Sequence, residues 1–112
     1  MTSLSTHVLD ATTGRPAVGV GVLLETYRDG AWAEVGTGVT DDDGRLRDWL
    51  PPDRPGVGTH RLLFDTGAYF ARSGVTGFYP AVTITFVVDE AQRHLHVPLL
   101  LSPFAYSTYR GS

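Results

Sequence analysis

The sequence contains no cysteine and no lysine. The absence of cysteine excludes disulfides, thiolate nucleophiles and cysteine-based zinc sites. The absence of lysine excludes Schiff-base chemistry and a phosphate-binding loop that depends on lysine. All nine basic residues are arginine, and twelve acidic residues give a formal net charge of −3. A mildly acidic chain without a basic cluster is not expected to bind nucleic acid.

Long apolar runs and targeting segments are also missing. No apolar run approaches the roughly 18 residues that cross a bilayer, so we expect no membrane association. Residues 1–6 show no charged region followed by an apolar core, which argues against a signal peptide. Small secreted domains often depend on disulfides, so the lack of cysteine favours a cytoplasmic location.

The 112 residues correspond to a single domain, residues 1–112. Thirteen glycines and seven prolines are spread between apolar segments and indicate many turns. The predicted strands are residues 3–10, 19–27, 32–39, 45–50, 58–65, 82–89, 94–101 and 104–110. Residues 66–71 form the only predicted helical turn, with Thr66 as its N-cap. This pattern predicts an all-β protein, an antiparallel β-sandwich of seven to eight strands with one short helix.

The histidines are candidates for chemistry near neutral pH. His7 lies on the face of its predicted strand opposite Val8, as either a surface residue or a functional one. His94 and His96 are two residues apart on a predicted strand and therefore point to the same side. With His7 as a third ligand, this pair is one way to bind zinc, so a metal-binding sandwich is one hypothesis. His60 lies near the start of a predicted strand and is interpreted as structural or exposed.

Arg45 and the C-terminal residues leave two further questions open. Arg45 follows an acidic turn, where it either pairs with Asp42 or Asp43 at the surface or binds a planar anion or oxyanion. The chain ends in a segment rich in aromatic residues, 105–112, whereas most termini are polar and poorly ordered. Such an end is either docked at a fixed place or a frayed edge strand.

Four segments of the sequence closely resemble the transthyretin-like 5-hydroxyisourate hydrolases of purine catabolism, and the resemblance covers essentially the whole chain. They are residues 4–10, 40–45, 64–70 and 94–112, the last of which contains His-x-His-Val-Pro and ends in Tyr-Arg-Gly-Ser. The resemblance implies a transthyretin-like fold and hydrolysis of 5-hydroxyisourate to 2-oxo-4-hydroxy-4-carboxy-5-ureidoimidazoline. It also implies no metal or cofactor, and a homotetramer, a dimer of dimers, with active sites in a channel between dimers.

The resemblance further implies which residues do the chemistry. The implied catalytic set is His7, Arg45 and His96, and the implied substrate-binding residues are Tyr109, Arg110, Gly111 and Ser112. This set agrees with the reaction, because a neutral histidine can activate water and an arginine can stabilise an oxyanion. Which histidine acts as the base stays open. The alternative is a transthyretin-like carrier of small aromatic molecules without hydrolase activity.

Overall fold

The computed structural model describes residues 2–91 and 93–111, which form two facing β-sheets and one helix. The strands are β1 (Ser3–Asp10), β2 (Arg15–Pro16), β3 (Gly21–Arg28), β4 (Ala31–Val39), β5 (Arg45–Leu46), β6 (Gly58–Phe64), β7 (Val82–Val88), β8 (His94–Ser102) and β9 (Ala105–Thr108). The helix α1 spans Thr66–Arg72. Seven of these strands have four residues or more, and β2 and β5 have two each, so the predicted sandwich is confirmed.

The two sheets are built from different parts of the chain. One has the order β2-β1-β8-β9, with β5 also paired to β1, and the other has the order β4-β3-β6-β7. Pairing is antiparallel except between β1 and β8, which run parallel. A parallel pair needs a long crossover connection, and here the chain builds the whole second sheet between the two strands. The sandwich is therefore not antiparallel throughout, contrary to the sequence-based expectation.

Alternation along β1 sets both the core and the outer surface. Leu4, Thr6 and Val8 are buried on one face, while Ser5 and His7 are partly exposed on the opposite face. Other fully buried side chains fill the space between the sheets: Leu24, Leu62, Phe64 and Leu99. The outer face of β1 is therefore free to carry polar side chains without disturbing the core.

Two turns explain how neighbouring strands connect. Asp29 and Gly30 both have positive φ, 54° and 80°, between Arg28 and Ala31, which are paired across the β3–β4 hairpin. Positive φ at both central positions is the geometry of the tight hairpin turn that Asp-Gly favours, so the Asp-Gly pair, which signals a hairpin in the sequence, forms one here. At the end of β5, by contrast, Asp48 has a φ of 55° and the extended segment stops at Leu46, short of the predicted residue 50.

The helix has seven residues and begins at Thr66, so its N-cap lies one residue earlier than predicted. Asp65, not Thr66, is the N-cap: its Oδ1 accepts a hydrogen bond from the Ala68 N–H at 3.3 Å. Thr66 is the first helical residue and is buried. Aspartate and threonine both suit an N-cap, so the sequence could not decide between neighbours. None of the helices in the described residues is long and apolar enough to cross a membrane.

Candidate active site

The three residues expected to be catalytic meet on the outer face of the five-stranded sheet. His7 of β1 is paired with Arg45 of the antiparallel strand β5. On the other side of β1, Ser5 is paired with His96 of the parallel strand β8. Paired residues project from the same face of a sheet, and Ser5 and His7 are two residues apart. The structure therefore brings His7, Arg45 and His96 together from three distant parts of the sequence.

A tight acidic turn positions Arg45 beside His7 on the outer sheet face. The Asp41 carboxylate accepts hydrogen bonds from the backbone N–H groups of Asp43 at 2.8 Å and Arg45 at 2.9 Å. These bonds, chiefly the one from Arg45, hold the pKa of Asp41 below its ordinary value. Gly44 has a φ of 72°, and a Cβ there would lie 2.4 Å from the carbonyl oxygen of Val8. Glycine is required at this position because the turn lies directly against β1.

The His96 imidazole is half-buried and held by one hydrogen bond. Its Nδ1 lies 2.8 Å from the hydroxyl oxygen of Ser5. Burial lowers the pKa of His96 below its ordinary value, and the Arg45 guanidinium lowers this pKa further, followed by His7 and His94. A histidine with a lowered pKa is neutral at pH 7, which is the form that accepts a proton or donates one from its N–H without carrying charge.

A polar cleft of about 400 Å³ opens beside these residues. Its walls are Ser3, Ser5, Thr6, Arg45, Arg47, Asp48, His94 and His96. His7 is not among these wall residues and lies beside Arg45, its partner across the β1–β5 pair. Sequence reasoning missed Ser3, Ser5, Arg47 and Asp48. The alternation of β1 was the available signal for the two serines, because it places both on the face of His7.

His94 is held by serine hydroxyls on both sides of its ring. Its Nδ1 lies 2.6 Å from Ser3 Oγ, and its Nε2 lies 3.2 Å from Ser5 Oγ. Across residues 2–91 and 93–111, no group of three or more histidine, aspartate or glutamate side chains is arranged to hold a metal ion. The zinc-site hypothesis, with His7, His94 and His96 as ligands, therefore finds no support in the arrangement of these side chains.

The C-terminal segment is docked against His96. The backbone N–H of Gly111 donates a hydrogen bond to the His96 carbonyl oxygen at 2.8 Å, and the two residues form an isolated β-bridge. Tyr109 and Arg110 are both exposed, Tyr109 to 60%. Ser112, the fourth residue of the expected substrate-binding tail, lies outside the described residues. The described end of the chain is thus fixed at the site rather than frayed.

A second, apolar cleft of about 250 Å³ lies on the other side of His96. It runs along the open edge of the sandwich between β7 and the C-terminal segment, with walls formed by Ile84, Phe86, Val87, Leu95, His96, Val97, Thr108, Tyr109 and Arg110. His96 is the residue that these two clefts share. Tyr109 and Arg110 therefore lie close to His96, but on the apolar side of it.

His60, the fourth histidine, belongs to β6 in the other sheet. It is only 2% exposed, and its Nε2 lies 2.6 Å from the Gly56 carbonyl oxygen. Burial lowers its pKa below the ordinary value. The interpretation of His60 as a structural residue is confirmed, since its ring packs against Phe86 away from the polar cleft.

The fold and the site together define a β-sandwich of the transthyretin type that carries histidine and arginine side chains on the outer face of one sheet. The sequence model of the HIUase/Transthyretin family matches residues 4–111, and the chain belongs to this family.

Individual relatives agree with this assignment. A protein of Caulobacter vibrioides named 5-hydroxyisourate hydrolase is 44% identical over 117 aligned positions, which cover 100% of both chains. The structure of Klebsiella pneumoniae 5-hydroxyisourate hydrolase is similar with a TM-score of 0.87 and 40% identity over 100% of both chains. Sea bream transthyretin in complex with thyroxine is similar with a TM-score of 0.91 and 35% identity, covering 96% of this chain and 93% of that one. Both a 5-hydroxyisourate hydrolase and a transthyretin in complex with thyroxine therefore share this fold.

Proposed function

We propose that this protein hydrolyses 5-hydroxyisourate to 2-oxo-4-hydroxy-4-carboxy-5-ureidoimidazoline, a reaction of urate degradation. The observation that carries the proposal is the placement of His7, Arg45 and His96 on adjacent strands, with Arg45 and His96 in the wall of one polar cleft. The chain is also similar over its full length to proteins named 5-hydroxyisourate hydrolase, which supports the same substrate.

The histidines supply the proton transfers. Ring opening breaks a cyclic acyl–nitrogen bond, so a base must take a proton from the attacking water, and an acid must give one to the leaving nitrogen. The lowered pKa of His96 keeps its imidazole neutral, which suits either role. His7 lies beside Arg45 and is the second group available for proton transfer.

Arg45 stabilises the charge that develops during the reaction. Water attack on the acyl carbon places negative charge on the carbonyl oxygen, and a guanidinium fixed nearby stabilises this oxyanion without reorganising. The hydrogen bonds of the Asp41 turn fix the backbone of Arg45 before substrate arrives. The planar fork of the guanidinium also matches the planar ureide edge of the substrate.

The C-terminal residues bind substrate in this proposal. Tyr109, Arg110 and Gly111 close the site from the side opposite the Arg45 strand, and Ser112 is the fourth member of the proposed substrate-binding set. Contacts of Gly111 with His96 support this role for the described part of the segment. A second guanidinium at Arg110 adds donors for carbonyl oxygens of the substrate or product.

We further propose that the whole chain, residues 1–112, forms one domain that assembles as a cytoplasmic homotetramer, a dimer of dimers, with active sites between dimers. The site lies on an outer sheet face, where a second protomer would form the opposite wall of a channel. Exposed aromatic and aliphatic side chains support such burial, among them Val87, Phe104 and Tyr109. No metal or cofactor is required by the chemistry of the proposed residues.

Loss of the 5-hydroxyisourate absorbance tests the function directly. We expect the purified protein to accelerate this loss relative to buffer, in the presence of a strong chelator as well as without it. Equal decay rates with and without protein would refute the proposal. The carrier alternative has the thyroxine complex of sea bream transthyretin in its favour. Thyroxine binding without hydrolase activity would establish it, whereas the polar cleft disfavours an apolar ligand because its charged groups would lose hydration.

A further inference from the structure

Four side chains on the outer sheet face form a continuous hydrogen-bonded chain. Ser3 Oγ lies 2.6 Å from His94 Nδ1, and Ser5 Oγ lies 3.2 Å from His94 Nε2. The same Ser5 hydroxyl lies 2.8 Å from His96 Nδ1. One serine thus bridges two imidazoles, and the second serine extends the chain to the protein surface, where Ser3 and His94 are exposed.

Each member of this chain can both donate and accept a proton. A serine hydroxyl has one donor and two acceptor positions, and a neutral imidazole has one of each. The hydrogen bonds along this chain of side chains can therefore run in either of two directions. In one, His96 carries its proton on Nδ1 and leaves Nε2 as a base, and in the other its proton is on Nε2. None of the described residues hydrogen-bonds His96 Nε2, so this nitrogen is available to substrate or water.

We propose that Ser3, His94 and Ser5 are a proton relay that connects His96 Nε2 to solvent. The inference rests on the proposed hydrolase function, for which it adds His94 and Ser5 as residues acting through His96. The proposed catalytic groups would then be supported by a path that carries protons away from the site and back.

The proton balance of the relay is simple. When His96 Nε2 takes a proton from the attacking water, the His96 Nδ1 proton moves to Ser5 Oγ, and the Ser5 proton moves to His94 Nε2. The His94 Nδ1 proton then moves to Ser3 Oγ, and the Ser3 proton leaves to solvent. When His96 Nε2 later protonates the leaving nitrogen, the same steps run in reverse and take one proton from solvent. Every side chain ends neutral, and no other reactant is needed.

The charges around His96 explain why such a path is useful. Arg45 of β5 and His7 of β1 face its ring, and Arg110 of the C-terminal segment lines the cleft on its other side. A second proton on His96 would place an imidazolium near the guanidinium groups of Arg45 and Arg110, which is unfavourable in a partly buried site. Passing the Nδ1 proton to Ser5 lets His96 accept a proton while remaining neutral.

Steady-state kinetics of His94→Gln, Ser5→Ala and Ser5→Thr test the relay. Glutamine hydrogen-bonds but does not relay a proton, so we expect His94→Gln to lower kcat about tenfold with KM within about twofold, because only a proton transfer of the chemical step is lost. Imidazole buffer should restore this activity in a saturable way, since His94 is exposed. Ser5→Ala should lower kcat by as much or more, and imidazole buffer should not restore it. Ser5→Thr should retain activity. Thr37→Val, which removes an exposed strand hydroxyl on the other sheet, is the matched control and should match the wild type.

Two outcomes would overturn the relay. If Ser5→Ala is impaired while His94→Gln has the wild-type kcat in all buffers, Ser5 only holds the His96 ring. The second outcome concerns rates in mixtures of H2O and D2O. If the wild-type rate depends linearly on the deuterium fraction, a single proton moves in the rate-limiting step, and the four side chains do not transfer protons together. A curved dependence that becomes linear in Ser5→Ala is the expected result.

An NMR measurement separates failure of the relay from failure of the proposed function. Because Ser5 has a single proton to donate, the chain requires His94 and His96 to have the same tautomer, both Nδ1–H or both Nε2–H. Nitrogen shifts of labelled imidazoles report this without any substrate. Opposite tautomers would refute the relay even if the enzyme is active, and equal tautomers in a protein without hydrolase activity would leave the chain intact and refute the function.

Discussion

The Gly111 N–H donates a hydrogen bond to the His96 carbonyl oxygen, and the missing side chain of Gly111 is what lets the two residues approach. A Cβ at position 111 would lie 2.6 Å from Cδ2 and 3.2 Å from Cγ of His96. Real Cβ atoms do not come so close to a ring, so any other residue must move either the C-terminal segment or the imidazole. The last described residue of the chain thereby sets the position of a proposed catalytic group.

Gly111→Ala is expected to lower kcat/KM by roughly ten- to a hundredfold, because a displacement of about 1 Å at a catalytic group has effects of this size. The fold should be little affected, since the change lies at the end of the chain. Gly56→Ala is a suitable control, as a Cβ there meets nothing within 4 Å. Full activity of Gly111→Ala, measured by loss of substrate absorbance, would show that the docked segment does not position His96.

Substitution of the three proposed catalytic residues is expected to have large effects. His7→Asn, Arg45→Ala and His96→Asn should each lower turnover at least about a hundredfold, the range observed for acid–base and oxyanion groups. Arg15→Ala removes an exposed arginine from β2 and serves as the control. The role of a residue is contradicted if its variant forms the native assembly and turns over substrate at the wild-type rate.

The environment of His96 predicts how it titrates. Burial, followed by the positive charge of Arg45, lowers its pKa, so its NMR titration midpoint should lie below about 6.5, the value of an unperturbed histidine. In Arg45→Gln the midpoint should rise, because a positive neighbour is removed. Arg15→Gln should leave it unchanged. A wild-type midpoint above 6.5 would mean that an interaction favouring the imidazolium outweighs burial and Arg45.

A stability prediction concerns the contact that fastens the helix to β1. Tyr69 Oη donates a hydrogen bond to Asp10 Oδ2 at 2.8 Å, and Asp10 is only 5% exposed. Tyr69→Phe removes the donor and should lower the free energy of unfolding by about 1.5–3 kcal/mol, as for a hydrogen bond to a charged group. Tyr27→Phe, with an exposed ring, should change it little. Equal denaturation midpoints for the two variants would contradict this contribution.

The same contact predicts an effect of alkaline pH. Burial and the Asp10 hydrogen bond raise the pKa of Tyr69 to about 12. The folded state keeps the phenol proton above pH 10, where the unfolded chain begins to lose it. The contribution of Tyr69 to stability is therefore complete below pH 10 and is lost between about pH 10 and 12. Denaturation of the wild type and Tyr69→Phe across this range should show the difference between them shrinking.

Local patterns in the sequence predicted much of this fold. Alternation in β1 placed Leu4, Thr6 and Val8 on one face of the strand and His7 on the other, because side-chain direction in a strand follows from position alone. Asp29-Gly30 identified a hairpin, because few residue pairs adopt positive φ twice.

Contacts between distant segments could not be predicted in this way. Nothing local indicates that β1 pairs in parallel with β8, since Ser5 and His96 are 91 residues apart. Without that register, the sequence does not show that Ser5 bridges His94 and His96, and His94 suggests a metal ligand instead. The grouping of His7, Arg45 and His96 was implied by resemblance to a family, and the residue spacing alone left it open. Their catalytic roles stay a prediction.

The alternation of β1 ties the catalytic surface to the interior of the protein. Inserting or deleting one residue in this strand would exchange its two faces, sending the imidazole and the bridging hydroxyl inward and the aliphatic side chains into the solvent. Such a change would abolish both folding and catalytic activity. Variation along this segment is therefore confined to replacements that keep its length, and new specificities in this scaffold have to arise from the surrounding turns and the chain terminus.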